Sequence, residues 1–496
     1  MSGINNIFNR TIKGSFYLFT GTMINFISSM IISIIIIRVL GPVDYGLYSI
    51  LYSIPTLLII IGDLGLSQSL LRYVSKYSEN ENDSLSIIML VMFIKLIFSS
   101  ILFIILNVFS NEVSLLLKRD EISSYIFIIS VFFITGSYLN TCRNSLIGLE
   151  KTKEYSIIVI LLSIINLFII LYYVTDSSSL YDILNLITIN NILNFMILMA
   201  YLLFQIKSFK LHGLYNRYKI LLIEILAYAF PIYLSSVVIR GQNQLLQLIL
   251  ARNVSNYDIG NYSISMNFTV LINVVVMSII SNILSTFSKI DYRENKEEYK
   301  KLLPMIIKYF SIVMIFIAVG ISIISEELIF VIFGSEYLAA KNYMIFYMFT
   351  YLVISLGDVM VMVFLNSQGD TRVTFNITLL NFLILVPSSY YLTGIYSING
   401  LISSIFISKI ISSFYGLKIL KIEYDISLDL MASIKIMGTY LMSFLVINYI
   451  DANILKLNVF LNGFVKLLIY VLLLVPTLYV IKVFDKKDLD YFRETT

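Results

Sequence analysis

The sequence predicts an all-α, polytopic membrane protein of about fourteen transmembrane helices, built as two six-helix lobes in parallel repeat plus two C-terminal helices. The first observation behind this is composition: 58% of the 496 residues are apolar and only 13% charged, too few charges to coat a soluble chain of this length. The second is pattern. The charges fall in short clusters between apolar runs of roughly 20 residues, the length that crosses a hydrocarbon core as a helix, whereas barrel strands are about half as long and alternate in polarity. The third is a repeated connector: RVLGPVDYGLYSIL at 38–51 returns as RNVSNYDIGNYSIS at 252–265, pairing Arg38, Asp44, Gly46, Tyr48, Ser49 and Ile50 with Arg252, Asp258, Gly260, Tyr262, Ser263 and Ile264 at one offset of 214 residues.

Taken in order, the first helix spans 14–37; Arg10 and Lys13 precede an apolar segment too long for a cleavable signal and without a small-residue cleavage site, so it is retained. Apolar runs between polar connectors then place helices at 46–70, 85–109, 124–147, 156–174 and 183–206, closing a first lobe over 1–210. The second lobe, 211–425, repeats the plan at 222–250, 262–286, 302–324, 341–365, 374–392 and 399–420. Helices at 431–450 and 461–483 and a tail make up 426–496, outside the repeat. Pro55 and Pro231 mark expected kinks in the second and seventh helices. Six helices per lobe preserve orientation, so the lobes are related by an axis along the membrane normal.

Loop charge fixes the expected topology. With the N-terminus inside, the cytoplasmic loops collect most of the lysines and arginines, and the other side keeps only Arg38, Lys118, Arg119, Arg252, Lys341 and Lys456. Both termini are therefore expected in the cytoplasm, with the chain multi-pass in the cell membrane. Positive charge confined to membrane-flanking loops also argues against a nucleic-acid partner.

Polar stripes locate candidate chemistry. Thr22, Asn25, Ser29 and Ser33 share a face of the first helix, and Ser236, Arg240, Asn243 and Gln247 a face of the seventh. Small polar residues alone are explained by helix packing, but an arginine and long amides on one stripe are costly against lipid and point to a wet cavity. The second helix carries Ser49, Tyr52, Ser53, Thr56, Asp63 and Ser67; Asp63 is either a functional carboxylate or half of an ion pair with a neighbouring lysine such as Lys95. Lys95, Arg143, Lys308, Asp358 and Lys409 are the other ionisable groups at membrane depth, with Arg143 and Lys308 near enough to the cytoplasmic end to snorkel. Cations outnumber acids there, which favours an anionic ligand such as a phosphate. Candidate substrate-binding residues are therefore Arg240, Asn243, Gln247, Lys95, Lys409, Arg143 and Arg38, and candidate ion-coupling residues Asp63 and Asp358.

Cofactor chemistry finds no footing in the sequence. Cys142 and His212 are single, which rules out an intrachain disulfide and a Cys/His metal set, and no phosphate-binding G-x-x-x-x-G-K-[ST] loop occurs. No cofactor or catalytic residue is expected.

RVLGPVDYGLYSI followed by GDLGLSQSLLRY at 62–73, AFPIYLSS at 229–236, the second connector, FGSEYLAA at 333–340 and the tail FDKKDLDYFRE together resemble the Wzx-type polysaccharide flippases of the polysaccharide transporter family, in the multidrug/oligosaccharidyl-lipid/polysaccharide superfamily. Arg38, Gly41, Asp44, Gly46 and Tyr48 match the first signature, and Asp63, Gly65 and Arg72 the second. The resemblance implies a MATE-like fold alternating between inward-open and outward-open states. It also implies a polyprenyl-(pyro)phosphate-linked oligosaccharide as cargo, with membrane lipids and a polysaccharide polymerase or glycosyltransferases as partners. The turns read as structural, Gly46 and Gly260 permitting a tight corner and Asp44 and Asp258 capping the next helix. One departure concerns coupling: family members often carry an acid near Gln242 and Asn243, which are both amides here. Export of drugs or metabolites on the same fold, and a membrane-embedded glycan polymerase, are the competing functions.

The topology is checked by single cysteines in a Cys142→Ser background. Ser78→Cys and Asn295→Cys should resist impermeant thiol reagents in intact cells while Ser178→Cys reacts; the opposite labelling would invert the orientation.

Overall fold

The computed structural model describes residues 2–77, 81–205, 215–453 and 458–480; His212 and the segment FDKKDLDYFRE lie outside them. Among the described residues every regular element is helical, and the chain divides into two compact units, residues 1–252 and 253–496.

The first unit contains α1 (Ser2–Asp63), α2 (Leu66–Lys76), α3 (Glu81–Val108), α4 (Ser110–Leu117), α5 (Ile122–Gly148), α6 (Thr152–Tyr173), α7 (Leu180–Gln205) and α8 (Tyr215–Asn253). The second contains α9 (Asn256–Asn267), α10 (Thr269–Phe287), α11 (Lys296–Ile323), α12 (Ser325–Phe333), α13 (Ala340–Phe349), α14 (Met360–Ser367), α15 (Thr371–Glu423), α16 (Leu430–Asn453) and α17 (Val459–Val480), with 3-10 turns at Ser335–Tyr337 and Thr350–Leu356. Eleven of the described helices are long and apolar enough to cross a membrane, or twelve if the bent pair Ala340–Leu356 and Met360–Ser367 forms one span. The chain is a multi-pass helical membrane protein.

Two of these spans are of double length, Lys13–Asp63 with 51 residues and Thr371–Glu423 with 53. At about 1.5 Å per residue each is more than twice as long as a hydrocarbon core of about 30 Å. Each is broken near its middle, at Gly41 (φ 68°, ψ 173°) and at Ser397 (φ 55°, ψ −136°). The second break reverses the chain sharply, because a Cβ on Gly400 would lie 2.0 Å from the Leu392 carbonyl oxygen, whereas residues eight apart in an unbroken helix are about 12 Å apart. Pro55 and Pro231, the positions of the expected kinks, sit inside α1 and α8, and the non-helical residue inside α1 is Gly41.

The repeated connector therefore turns at a position other than the one its glycines indicated. Gly46 and Gly260 lie buried within helices, and the left-handed corner falls to Gly41. The offset of 214 sets Gly41 opposite Ser255, where the second copy makes its corner with extended backbone (φ −65°, ψ 152°). Ser255 is also the helix cap: its hydroxyl accepts from the Asp258 amide at 3.2 Å and donates to Asp258 Oδ2 at 2.7 Å. Asp258 thus supports the cap from the first turn instead of forming it.

Packing inside each unit relies on close fit, since lipid removes most of the hydrophobic drive between helices. In the first unit α1 approaches α6 through Gly14 and Gly21, whose missing Cβ atoms would lie 3.0 Å from Thr152 Oγ1 and 3.2 Å from Ser156 Cβ. In the second, Ile315, Val319 and Ile323 of α11 pack with Tyr440 of α16 and Tyr470 of α17. The two phenols donate to the Ile312 and Phe316 carbonyls at 2.6 and 3.2 Å. Phe93, Leu96, Ile97, Ile101 and Ile104 leave α3 with an exposed apolar face suited to lipid.

The predicted helix at 46–70 is interrupted. Leu64 (φ 48°) and Gly65 (φ 73°) are left-handed, so α1 ends at Asp63 and α2 leaves in a new direction. Gly65 is also pressed against α8, where a Cβ would sit 2.3 Å from the Ala229 carbonyl oxygen. Gly65→Ala should lower the melting temperature of the purified protein more than Gly369→Ala. Gly369 shares a positive φ of 89° but faces open space, so only the backbone strain of about 1–3 kcal/mol applies there. Equal losses in the two variants would mean the α2–α8 contact is relaxed in solution.

Candidate functional site

The interruption at Leu64–Gly65 leaves backbone amides at membrane depth that need partners. Asp63 supplies them: one carboxylate oxygen accepts from the Ser67 amide at 3.3 Å, and the other accepts a short hydrogen bond from the Ser67 hydroxyl. Lys95 of α3, 1% exposed, places Nζ 2.5 Å from Asp63 Oδ1 and 2.8 Å from Ser67 Oγ. The structural alternative for Asp63, an ion pair with Lys95, is thus present in the fold. Lys95 does not itself line the cavity described next and meets it through Asp63 and Ser67.

That cavity lies within the first unit and holds about 1160 Å³. Asp63, Gln68 and Arg72 line it from the region of the break, Asn140, Arg143 and Asn144 from α5, Asn191 from α7, and Tyr228, Ser236, Arg240 and Gln244 from α8. Tyr52 and Phe132 add an aromatic pair with ring centroids 5.4 Å apart. Arg72 lies over the Tyr228 ring, 4.1 Å from its centroid, which orients the guanidinium and links α2 to α8. Since Lys95 balances Asp63, the wall carries three guanidinium charges from Arg72, Arg143 and Arg240, among neutral amides.

The expected stripes are sorted by this geometry. From the first helix only Asn25 lines the cavity, and its side-chain oxygen accepts from Ser163 at 2.9 Å; Thr22, Ser29 and Ser33 do not. On α8, Ser236 and Arg240 line it as the spacing predicted, but Asn243 is exposed elsewhere and Gln247 donates to Ser49 at 2.8 Å. Gln244 takes the place assigned to Asn243. Arg143, for which snorkelling was the simpler account, faces the cavity.

Arg38 is not among the lining residues. Asp358 and Lys409 belong to the second unit, where the Ser413 hydroxyl lies 3.4 Å from Asp358 Oδ1 and Lys409 lies 5.3 Å from the centroid of the Tyr351 ring. Residues not anticipated include Asn140, Asn144 and Asn191. The signal for the first two was present, since Gly136, Asn140, Arg143 and Asn144 fall on one face of α5, which carries its long polar side chains there.

The end of α4 and the loop after it anchor the far end of α8. Arg119 donates to the Ala251 carbonyl at 3.0 Å and Arg252 to the Leu116 carbonyl at 2.9 Å. Burial lowers the pKa of the Arg119 guanidinium, but not enough to discharge an arginine.

Comparison with known proteins follows the same lines. Residues 11–291, more than half of the chain, match the family model described as polysaccharide biosynthesis protein. The capsular polysaccharide biosynthesis protein CapF of Staphylococcus aureus is 24% identical over 409 residues, covering 81% of this chain and 97% of that protein. Among solved structures, the lipid II flippase MurJ in an inward closed conformation superposes with a TM-score of 0.63 at 16% identity, over 96% of this chain and 99% of that one. An inward-facing multidrug resistance MATE family transporter gives 0.66 at 12% identity, over 82% and 98%. The fold is therefore of the MurJ and MATE type.

Asp63→Asn separates the two roles of the carboxylate. It leaves Lys95 buried without its counter-charge, which typically costs about 3–5 kcal/mol, so folded yield should fall, and adding Lys95→Met should restore it because the asparagine oxygen can still accept from Ser67. A well-folded single variant that transports slowly and loses its pH or sodium dependence would instead assign Asp63 to coupling.

Proposed function

This chain belongs to the polysaccharide biosynthesis protein family, and we propose from that premise that it is a flippase. Its cargo is an oligosaccharide linked to polyprenyl phosphate or pyrophosphate, carried from the cytoplasmic to the outer leaflet by alternating access. In this reading each limb of the two double-length helices is a separate crossing, the termini are cytoplasmic, and the glycan is destined for surface polysaccharide.

The observation that carries the proposal is the wall of the first-unit cavity, with Arg72, Arg143 and Arg240 among six amide side chains, Asn25, Gln68, Asn140, Asn144, Asn191 and Gln244. Guanidinium groups bind phosphate oxygens through paired N–H donors, and amides exchange hydrogen bonds with sugar hydroxyls in both directions. Tyr52 and Phe132 offer ring faces for the apolar face of a sugar. A volume of about 1160 Å³ exceeds the usual drug-sized pocket of about 300–1,000 Å³ and suits a glycan headgroup. Three like charges disfavour a cationic drug. MurJ, described as a lipid II flippase, shares the fold and supports a lipid-linked cargo, and CapF, named for capsular polysaccharide biosynthesis, supports a glycan one.

Reconstituted protein should move a labelled polyprenyl-linked glycan across liposomes without changing its mass. A change of mass would indicate polymerase or transferase chemistry. In the same assay Arg240→Ala should lose roughly tenfold or more of the rate, as the loss of a charge-assisted contact implies, and Arg240→Lys a smaller part. Full activity of the alanine variant at normal protein levels would remove Arg240 from the cargo site.

A further inference from the structure

A second polar cluster lies in the second unit, where α12, α16 and α17 converge. Lys466, 2% exposed, sets Nζ 2.6 Å from Glu327 Oε1 and 2.7 Å from Asp451 Oδ2. Asn462 Nδ2 donates to Glu327 Oε1 at 2.9 Å and to Asp451 Oδ1 at 3.0 Å. These two carboxylate acceptors fix the amide orientation, since a flipped asparagine would turn its oxygen toward both.

One ammonium against two carboxylates leaves the cluster with a net charge of −1. Among the described residues the neighbouring elements do not neutralise it: Glu326 of α12 pairs with Lys341 of α13 at 2.5 Å, and Glu336 is exposed on the turn after α12; Lys456, between α16 and α17, lies outside the described residues. Lys435 lies four turns away on α16, and the lysines of α11 sit toward its opposite end. Two acceptors in the cluster also lack a hydrogen-bond partner, Glu327 Oε2 and Asn462 Oδ1, and Glu327 is only 8% exposed. A buried carboxylate with surplus charge and an unpartnered oxygen is unfavourable unless a positive group completes it.

We propose that this cluster binds one monovalent cation at Glu327 Oε2 and Asn462 Oδ1. Lys466 permanently balances one carboxylate, and the bound cation balances the other. A sodium ion and a proton supply the same charge to the same oxygens. Occupancy ties α12 to the helix pair α16–α17, so the ligand stabilises the fold by linkage.

The test measures the melting temperature of the purified full chain in detergent, exchanging N-methylglucamine chloride for sodium chloride at constant ionic strength and fixed alkaline pH, and separately varying pH without sodium. The expected result is a rise with sodium concentration that Glu327→Gln abolishes and Asn462→Leu shifts to higher sodium. If the cation is a proton, sodium has no effect, and the wild type gains stability over Glu327→Gln as pH falls. Glu327→Gln makes the cluster neutral, so it should melt no lower than the sodium-free wild type. A Glu327→Gln protein that responds to sodium and pH as the wild type does, or a wild type that responds to neither, overturns the proposal.

Discussion

The ion pair between Lys95 and Asp63 is the contact on which the first unit's cavity depends. A helix cannot end inside a membrane unless its freed amides and carbonyls find partners within the protein. Asp63 accepts from the amide and the hydroxyl of Ser67, and Lys95 balances the charge this requires. With those partners in place the chain can pass through left-handed Leu64 and Gly65, and α2 can leave the line of α1. The new direction carries Gln68 and Arg72 to the cavity and brings Gly65 against α8. One half-buried carboxylate thus stabilises a break, aims a helix and borders the space beside it.

The repeated connector places its corner at the same position in both copies while the backbone and side chains that make it differ. At equivalent positions, Gly41 turns the first copy with positive φ, while Ser255 turns the second with extended backbone and a side-chain cap. In the second copy Asp258 is held by Ser255 and by the Tyr343 hydroxyl at 2.8 Å, so its carboxylate joins α9 to α13. What the copies share is the spacing between two apolar runs; the hydrogen bonds at the corner differ.

Much of this was legible from apolar run lengths and from the spacing of polar residues. The expected helices at 85–109, 124–147, 156–174 and 183–206 coincide with α3, α5, α6 and α7 to within about four residues at each end, because unbroken apolar runs leave little else for a membrane segment to form. Breaks were harder to place. Prolines at 55 and 231 drew attention, and both lie inside helices, while the positive-φ breaks fall at Gly41, Leu64–Gly65 and Ser397. The polar stripe of α8 was correct for Ser236 and Arg240 and lost register toward Gln244. The α5 stripe was passed over because its arginine lies close enough to a helix end to admit a simpler explanation. The cluster at Lys466 could not be read at all, since Glu327, Asp451 and Lys466 come from three separate helices.

The attachment of α8 bears on how such a protein can diversify. Three of its anchors use main-chain oxygens: Glu224 accepts from Tyr73 at 3.2 Å, Ala251 accepts from Arg119, and Ala229 lies against the bare Cα of Gly65. Main-chain groups are present whatever the side chain. Substitutions at the cavity-facing positions 236, 240 and 244 therefore leave these anchors in place, and a lineage can remodel the wall its ligand touches while the helix stays seated.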